Sequence, residues 1–191
     1  MKIKFYIILF LSIFGNLLAE EYDSLTIKRN FSLYLNAGIS SDLDSIAKHS
    51  DRTGIAISIR FMWEPEHLLK VGVETSLLNI TSFKQKNADT EFGKTDIDNK
   101  LRTIPILMIA EMELWDIGII GGYGPAYVYS EINAFDESSV SGEWDYCLMA
   151  GLNYSYLIYD KFYIDAEAKY YTLPELFKNL ISFQAGIKYS F

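Results

Sequence analysis

The residues that could do chemistry are few and scattered. His49, Ser50 and Asp51 stand in a row. A histidine, a serine and an aspartate can act as base, nucleophile and orienter in acyl transfer. Such sets work by geometry, and neighbours in a polar stretch do not face one another by default, so no catalytic residue is assigned. The other histidine, His67, closes the turn Glu64-Pro65-Glu66-His67, and two histidines give little basis for a His-based metal site. Asp42, Asp44 and Asp51, or Asp89, Glu91, Asp96 and Asp98, could gather calcium through oxygen ligands. Neither run has the spacing of a calcium loop, so no metal or cofactor residue is assigned and no cofactor is expected. The single cysteine, Cys147, lies beside Met149 and Gly151 with no electropositive neighbour to make it reactive.

The elements that carry these residues follow from composition and period. The chain has 191 residues, enough for one domain, and is half apolar, with 14 Tyr, 12 Phe and only 4 Pro, which excludes a disordered protein. A formal charge of -8 excludes a nucleic-acid partner, which needs a basic patch. Lys2 and Lys4 precede an apolar run from Phe5 to Phe14, and the stretch ends at Leu18-Ala19-Glu20. That order describes a secretory signal peptide over residues 1–19, too short for a transmembrane helix. Residues 20–29 read as a short polar periplasmic leader, and residues 30–191 as the folded domain. One cysteine allows no intrachain disulfide.

From residue 30 onward the period is two, the mark of half-buried strands. Phe31, Leu33, Leu35, Ala37 and Ile39 share one face; Ile55, Ile57, Ile59, Phe61 and Trp63 share another; Leu69, Val71, Val73, Thr75 and Leu77 a third. Eight such segments span roughly 30–40, 53–63, 68–80, 100–110, 116–130, 144–159, 162–171 and 180–191, each near the 9–11 residues a tilted strand needs to cross a bilayer. Their connections alternate. Glu64–His67, Glu111–Asp116 and Asp160–Lys161 are short; Ser40–Arg52, Thr81–Asp98 and Glu131–Glu143 are long and polar, and Thr172–Asn179 is intermediate. This is the pattern of an eight-stranded antiparallel up-and-down transmembrane β-barrel with short periplasmic turns and long outer loops. The fourth segment is ambiguous, being apolar on both faces, and Pro105 predicts a local bulge.

Alternation alone also fits a lipocalin-like barrel with an apolar inside. The second face decides. It carries Gly38, Gly54, Gly72, Gly151 and Gly186 with many serines, and charges of both signs: Arg60, Lys70, Glu74, Asp165, Glu167, Lys169 and Lys188. Small residues suit the interior of a narrow barrel, and enclosed charges must pair; a local hairpin register sets Asp165 beside Lys188. Aromatic residues bunch at strand ends, with Phe61, Trp63, Trp115, Tyr156, Phe162, Tyr189 and Phe191 at one level and Tyr127, Tyr129, Trp144, Tyr146 and Tyr170 at the other. Two aromatic girdles belong to a membrane barrel.

The last strand, Ile181 to Phe191, ends on an aromatic with alternate apolar residues behind it. It resembles the C-terminal strand by which bacterial outer-membrane proteins are recognised by the assembly machinery. Arg102-Thr103-Ile104-Pro105-Ile106-Leu107 and Gly121-Gly122-Tyr123-Gly124-Pro125-Ala126-Tyr127 resemble the fourth and fifth strands of the OmpX-like outer-membrane β-barrel family. The resemblance covers Phe31 to Phe191. It implies a monomeric barrel in the outer membrane of a Gram-negative-type bacterium, in contact with lipid and lipopolysaccharide, with assembly machinery engaging Phe191. It implies no single activity. The expected role is structural or one of surface interaction, around a plugged polar lumen. The alternatives are a lipid A-modifying enzyme, as some eight-stranded barrels are, and a narrow, porin-like channel.

Overall fold

The structure, a computed structural model, describes residues 30–44, 50–65, 68–90, 93–114, 117–134 and 137–191. The expected signal peptide and leader lie outside them, as do His49, His67, Glu91, Trp115 and Asp116. Nine strands follow in chain order: β1 (Asn30–Asp42), β2 (Ser50–Asp51), β3 (Thr53–Glu64), β4 (Leu69–Thr90), β5 (Gly93–Leu114), β6 (Ile117–Ala134), β7 (Glu137–Tyr159), β8 (Phe162–Leu173) and β9 (Lys178–Ser190). Each ring strand pairs antiparallel with its sequence neighbours, β2 excepted, and β1 also pairs with β9, so that Tyr34 lies opposite Arg60 on one side and Lys188 on the other. The eight-stranded ring is therefore closed, as an antiparallel up-and-down barrel. Closure leaves no sheet edge within the wall, the condition for a sheet to lie in hydrocarbon. The two-residue β2 is an appendage that pairs with Ser82 and Phe83 of β4.

The face assignment follows the period. On β3, Ile55, Ile57 and Ile59 are about half exposed while Ala56, Ser58, Arg60 and Met62 are buried. The exposed set is the bulky one, so lipid solvates Leu, Ile, Val and Phe, and the lumen holds the small and charged residues.

The structure departs from the sequence expectation in three respects. First, Thr81–Asp98 and Glu131–Glu143 are not loops. β4 and β5 stay paired out to Thr90–Gly93, and β6 and β7 out to Ala134–Glu137. Beyond the membrane both faces of a strand meet water, so the period of two disappears while the ladder continues. Second, no bulge forms at Pro105. The register with β6 is the same at Pro105–Ala126 and Met108–Tyr123, and that with β4 the same at Thr75–Ile106 and Leu78–Thr103. A missing donor deletes a ladder bond without inserting a residue; the shifts fall instead between Asn79 and Thr81 and between Gln85 and Ala88. The phase of β5 is also settled: Thr103, Leu107, Ile109 and Glu111 are buried, whereas Ile106 and Met108 are exposed.

Third, the ionic network fills only one half of the interior; the other half is largely apolar, with the buried Ser40, Asp42, Thr103 and Asp145 as polar exceptions. Moving away from the short turns, β4 turns inward Lys70, Glu74 and Ser76, then Leu78 and Ile80; β8 turns inward Asp165, Glu167 and Lys169, then Tyr171 and Leu173. On β9, Lys188, Gln184 and Ser182 give way to Leu180, and on β7, Asn153 gives way to Met149 and Cys147. The buried apolar cluster of Leu78, Ile80, Leu107, Val128, Cys147, Tyr171, Leu173 and Leu180 fills the half nearer the long hairpins.

Candidate functional site

Two features stand apart from the wall: a charged cluster inside it and a sheet that extends beyond it.

The cluster centres on Arg60, which is 1% exposed. Its guanidinium lies 3.2 Å from Glu167 Oε2, 3.6 Å from Asp165 Oδ2, 3.7 Å from Glu111 Oε2 and 4.0 Å from Glu74 Oε2, and 4.0 Å over the Tyr34 ring. Lys169 Nζ donates to Glu74 Oε1 at 2.7 Å and meets Glu167 Oε1 at 2.6 Å. Lys70 Nζ lies 2.5 Å from Glu113, 3.4 Å from Glu111 and 3.7 Å from Glu64. Thus the buried cations Arg60, Lys70, Lys169 and Lys188 answer the buried carboxylates Glu74, Glu111, Asp165 and Glu167. Matching sign with sign makes burial tolerable, since an unpaired ion in so dry a space costs several kcal/mol.

The expected Asp165–Lys188 neighbour pair does not form. Asp165 lies opposite Gly186; it accepts from Asn36 Nδ2 at 2.8 Å and Ser155 Oγ at 2.7 Å and faces Arg60. Lys188 instead lies 3.6 Å from Glu64 and near the rings of Tyr34 and Tyr163. A narrow lumen lets partners meet across the ring, which a hairpin register cannot anticipate. Glu64 and Glu111, placed in turns by the sequence pattern, both belong to this network; the parity of Leu107 and Ile109 carries on to Glu111. Below the network, toward the short turns, a cavity of about 560 Å³ is bounded by Glu64, Lys70, Glu111, Glu113, Asn153 and Lys188 among others. Gly118 makes room at its floor, because a methyl group there would overlap Asn153 Oδ1.

The residues singled out for chemistry are not brought together. Ser50 and Asp51 form β2, and His49 lies outside the described residues. Asp42 accepts from Lys178 Nζ at 2.9 Å, and Asp44 from Asn179 N at 2.6 Å; each acid is engaged separately. Among the described residues no group of His, Cys, Asp or Glu could hold a metal ion. Cys147 is buried on the lumen face within the apolar half.

The second feature is open to solvent from Ser139 to Trp144, whereas Asp145 and Cys147 beyond it are buried. β7 pairs with β8 only from Leu148–Thr172 inward. Among the described residues, Glu137–Cys147 therefore has a ladder partner, β6, on one side alone. The far side of the protruding sheet, β4, is partly covered by β2. Aromatic bands flank the wall at both levels: Phe31–Phe61, Phe162–Tyr189 and Tyr189–Phe191 toward the short turns, with centroids 5.5, 4.9 and 5.1 Å apart; Tyr127–Trp144 and Tyr123–Tyr146 toward the hairpins, 5.2 and 6.0 Å apart.

A closed ring of eight antiparallel strands, apolar outside, charged within and banded by aromatics, defines a small bacterial outer-membrane β-barrel of the OmpX-like kind. The family model for the outer membrane protein beta-barrel domain matches residues 11–191, and the chain belongs to that family. Its place is the outer membrane, in contact with lipid. Among solved structures it is similar to Ail, the attachment invasion locus protein of Yersinia pestis, in complex with the heparin analogue sucrose octasulfate: 16% identity, 85% of this chain and 99% of that one, TM-score 0.58. It is also similar to Neisserial surface protein A (13% identity, 84% and 97% covered, TM-score 0.54) and to a major outer membrane protein of Thermus thermophilus (11% identity, 86% and 100% covered, TM-score 0.54). At such identities the likeness concerns the fold alone. No curated protein matches.

Proposed function

We propose that this barrel is a monomeric surface-interaction protein whose protruding sheet accepts an extended segment of a partner along the free edge of β7. The observation that carries this reading is the run Glu137–Cys147, paired on one side only. An open edge offers a row of backbone donors and acceptors, and strand addition uses such a row for affinity while side chains set specificity. The region from Glu131 to Glu143 contains Glu131, Asp136, Glu137 and Glu143 and no Lys or Arg, which favours a cationic segment. In this reading the long hairpins face outward, the short turns face the periplasm, residues 1–19 direct export, and the strand ending at Phe191 engages the assembly machinery.

A plugged lumen fits better than a channel, because ionic contacts occupy one half of the interior and packed apolar side chains the other. An eight-stranded interior is just filled by its own side chains. Lipid A modification gains no support from the geometry, since serines that meet a carboxylate among the described residues, such as Ser58 on Glu167 and Ser155 on Asp165, do so on the inner face of the ring, away from lipid.

The test presents nanodisc-embedded protein with an alternating Lys/Thr peptide and follows binding by fluorescence anisotropy. Proline at Ser139 and, separately, at Val140 is introduced; in a strand one of these two directs its N–H at the free edge. One proline should abolish binding while the barrel stays folded. Binding unchanged in both would reject edge recognition.

A further inference from the structure

The cavity at the short-turn end carries its charges unevenly. Glu111 and Glu113 of β5 stand on one wall, and Lys188 of β9 stands on another. In the closed order of eight strands β5 and β9 are diametrically opposite. The cations are unequally answered. Lys70 has Glu64, Glu111 and Glu113 within 3.7 Å. Among the described residues Lys188 pairs only with Glu64, at 3.6 Å, and Lys70 shares that same oxygen. Its ammonium otherwise faces the rings of Tyr34 and Tyr163, 5.3 and 4.9 Å from their centroids.

The floor has the complementary lack. Asn153 of β7 is 4% exposed, yet its Oδ1 has no hydrogen-bond partner among the described residues. Beside it, Glu111 Oε2 accepts no hydrogen bond and has the Arg60 guanidinium 3.7 Å away. Gly118 leaves a notch in front of both: a methyl group there would overlap Asn153 Oδ1 and stand 2.9 Å from Glu111 Oε1. The rim is apolar in part, with Leu157 and Phe191 each about half exposed.

Polar groups in so enclosed a space are costly to leave without partners, so a donor on one wall and acceptors on another call for a ligand with the reverse pattern. An anion would serve Lys188 and leave Asn153 and Glu111 unanswered. A cation would do the opposite. A zwitterion answers both. A free amino acid carries both charges on one carbon, whereas the two walls lie across the ring. An extended di- or tripeptide separates its termini by roughly 7–10 Å. The cavity, about 560 Å³, is of a size that holds small ligands, and Leu157 and Phe191 offer apolar surface to a side chain.

We propose that this cavity binds a short peptide with free ends, its carboxylate on Lys188 and its ammonium in the notch at Gly118, against Asn153 Oδ1 and Glu111. The site lies at the opposite end of the barrel from the β7 edge and stands whether or not that edge takes a partner.

The test is calorimetric titration of the whole barrel in detergent micelles with trialanine, N-acetyl-trialanine and trialanine amide. Trialanine should bind, and blocking either end should weaken binding about tenfold, through loss of one charge-assisted contact. K188Q should weaken trialanine by the same factor and leave the amide unchanged, because both changes remove the same contact. G118A displaces the Asn153 side chain; it should weaken trialanine and leave the acetylated peptide unchanged. A cavity that holds water only would give no binding heat with millimolar trialanine, and that result overturns the proposal. Equal affinity for free and blocked peptides overturns it too, as does wild-type affinity in both K188Q and G118A. Should either variant fail to fold, the wild-type comparison of free and blocked peptides decides alone.

Discussion

Replacing Arg60 with methionine would leave Glu74, Glu111, Asp165 and Glu167 in a dry space with one of their cations gone. A broken buried pair of this kind costs on the order of 3–5 kcal/mol. The urea midpoint of R60M in lipid micelles should fall accordingly, while Arg60→Lys should recover part of the loss. An unchanged midpoint would show that the network adds nothing to stability. On the opposite face of the wall, Ile57, Val73, Leu148 and Ile164 are each about half exposed and face lipid. Arginine at any of these should cost roughly 2–4 kcal/mol, and less toward the bands. Four silent substitutions would turn the barrel inside out. The inward charges were legible in the sequence because each sits in the same phase as glycine and serine. Their pairing was legible only in part: Glu74 lies opposite Arg60 across the β3–β4 hairpin, whereas Glu111 of β5 and Asp165 and Glu167 of β8 reach it only across the lumen of the closed ring.

Strands were legible wherever lipid and lumen impose different demands on alternate residues. β3 shows the rule, with five bulky residues outward and small or charged ones inward. The rule fails at Ile104 to Ile109, where the lumen is itself apolar and both faces look alike, and it fails again beyond the membrane, where Lys84 to Asn87 is polar throughout. These two failures account for the ambiguous phase of β5 and for hairpins mistaken for loops. Turns carry a separate signal. Asp160 at φ 47° is a residue that tolerates the left-handed region, whereas Phe177 at φ 50° is not. Phe177 is 85% exposed, so its ring contributes little packing to offset the strain. Phe177→Gly should therefore raise stability by about 1 kcal/mol, read as a higher midpoint of thermal unfolding. A lower midpoint would mean that the aromatic ring stabilises the β8–β9 turn in some other way.

For the molecule as a whole the first question is orientation, which decides what the protruding sheet can reach. An epitope inserted between Thr90 and Gly93, or between Ala134 and Glu137, should be accessible to antibody on intact cells, whereas one after Asp160 should become accessible only on permeabilisation. The reverse pattern would remove the basis for any surface role. The insertion points follow from the structure: Ser138, within the stretch that the sequence pattern reads as a loop, pairs with Asn133, and an insert there would break the ladder. β7 is one unbroken strand of 23 residues, half of it outside the wall and half within it. A segment laid along its outer edge and then tugged by a moving partner would load the new hydrogen bonds in shear, all at once, rather than peel them apart singly. The force would pass along a single continuous backbone into a ring whose every strand is bonded on both sides. Such an arrangement would resist detachment mechanically even where equilibrium affinity is modest.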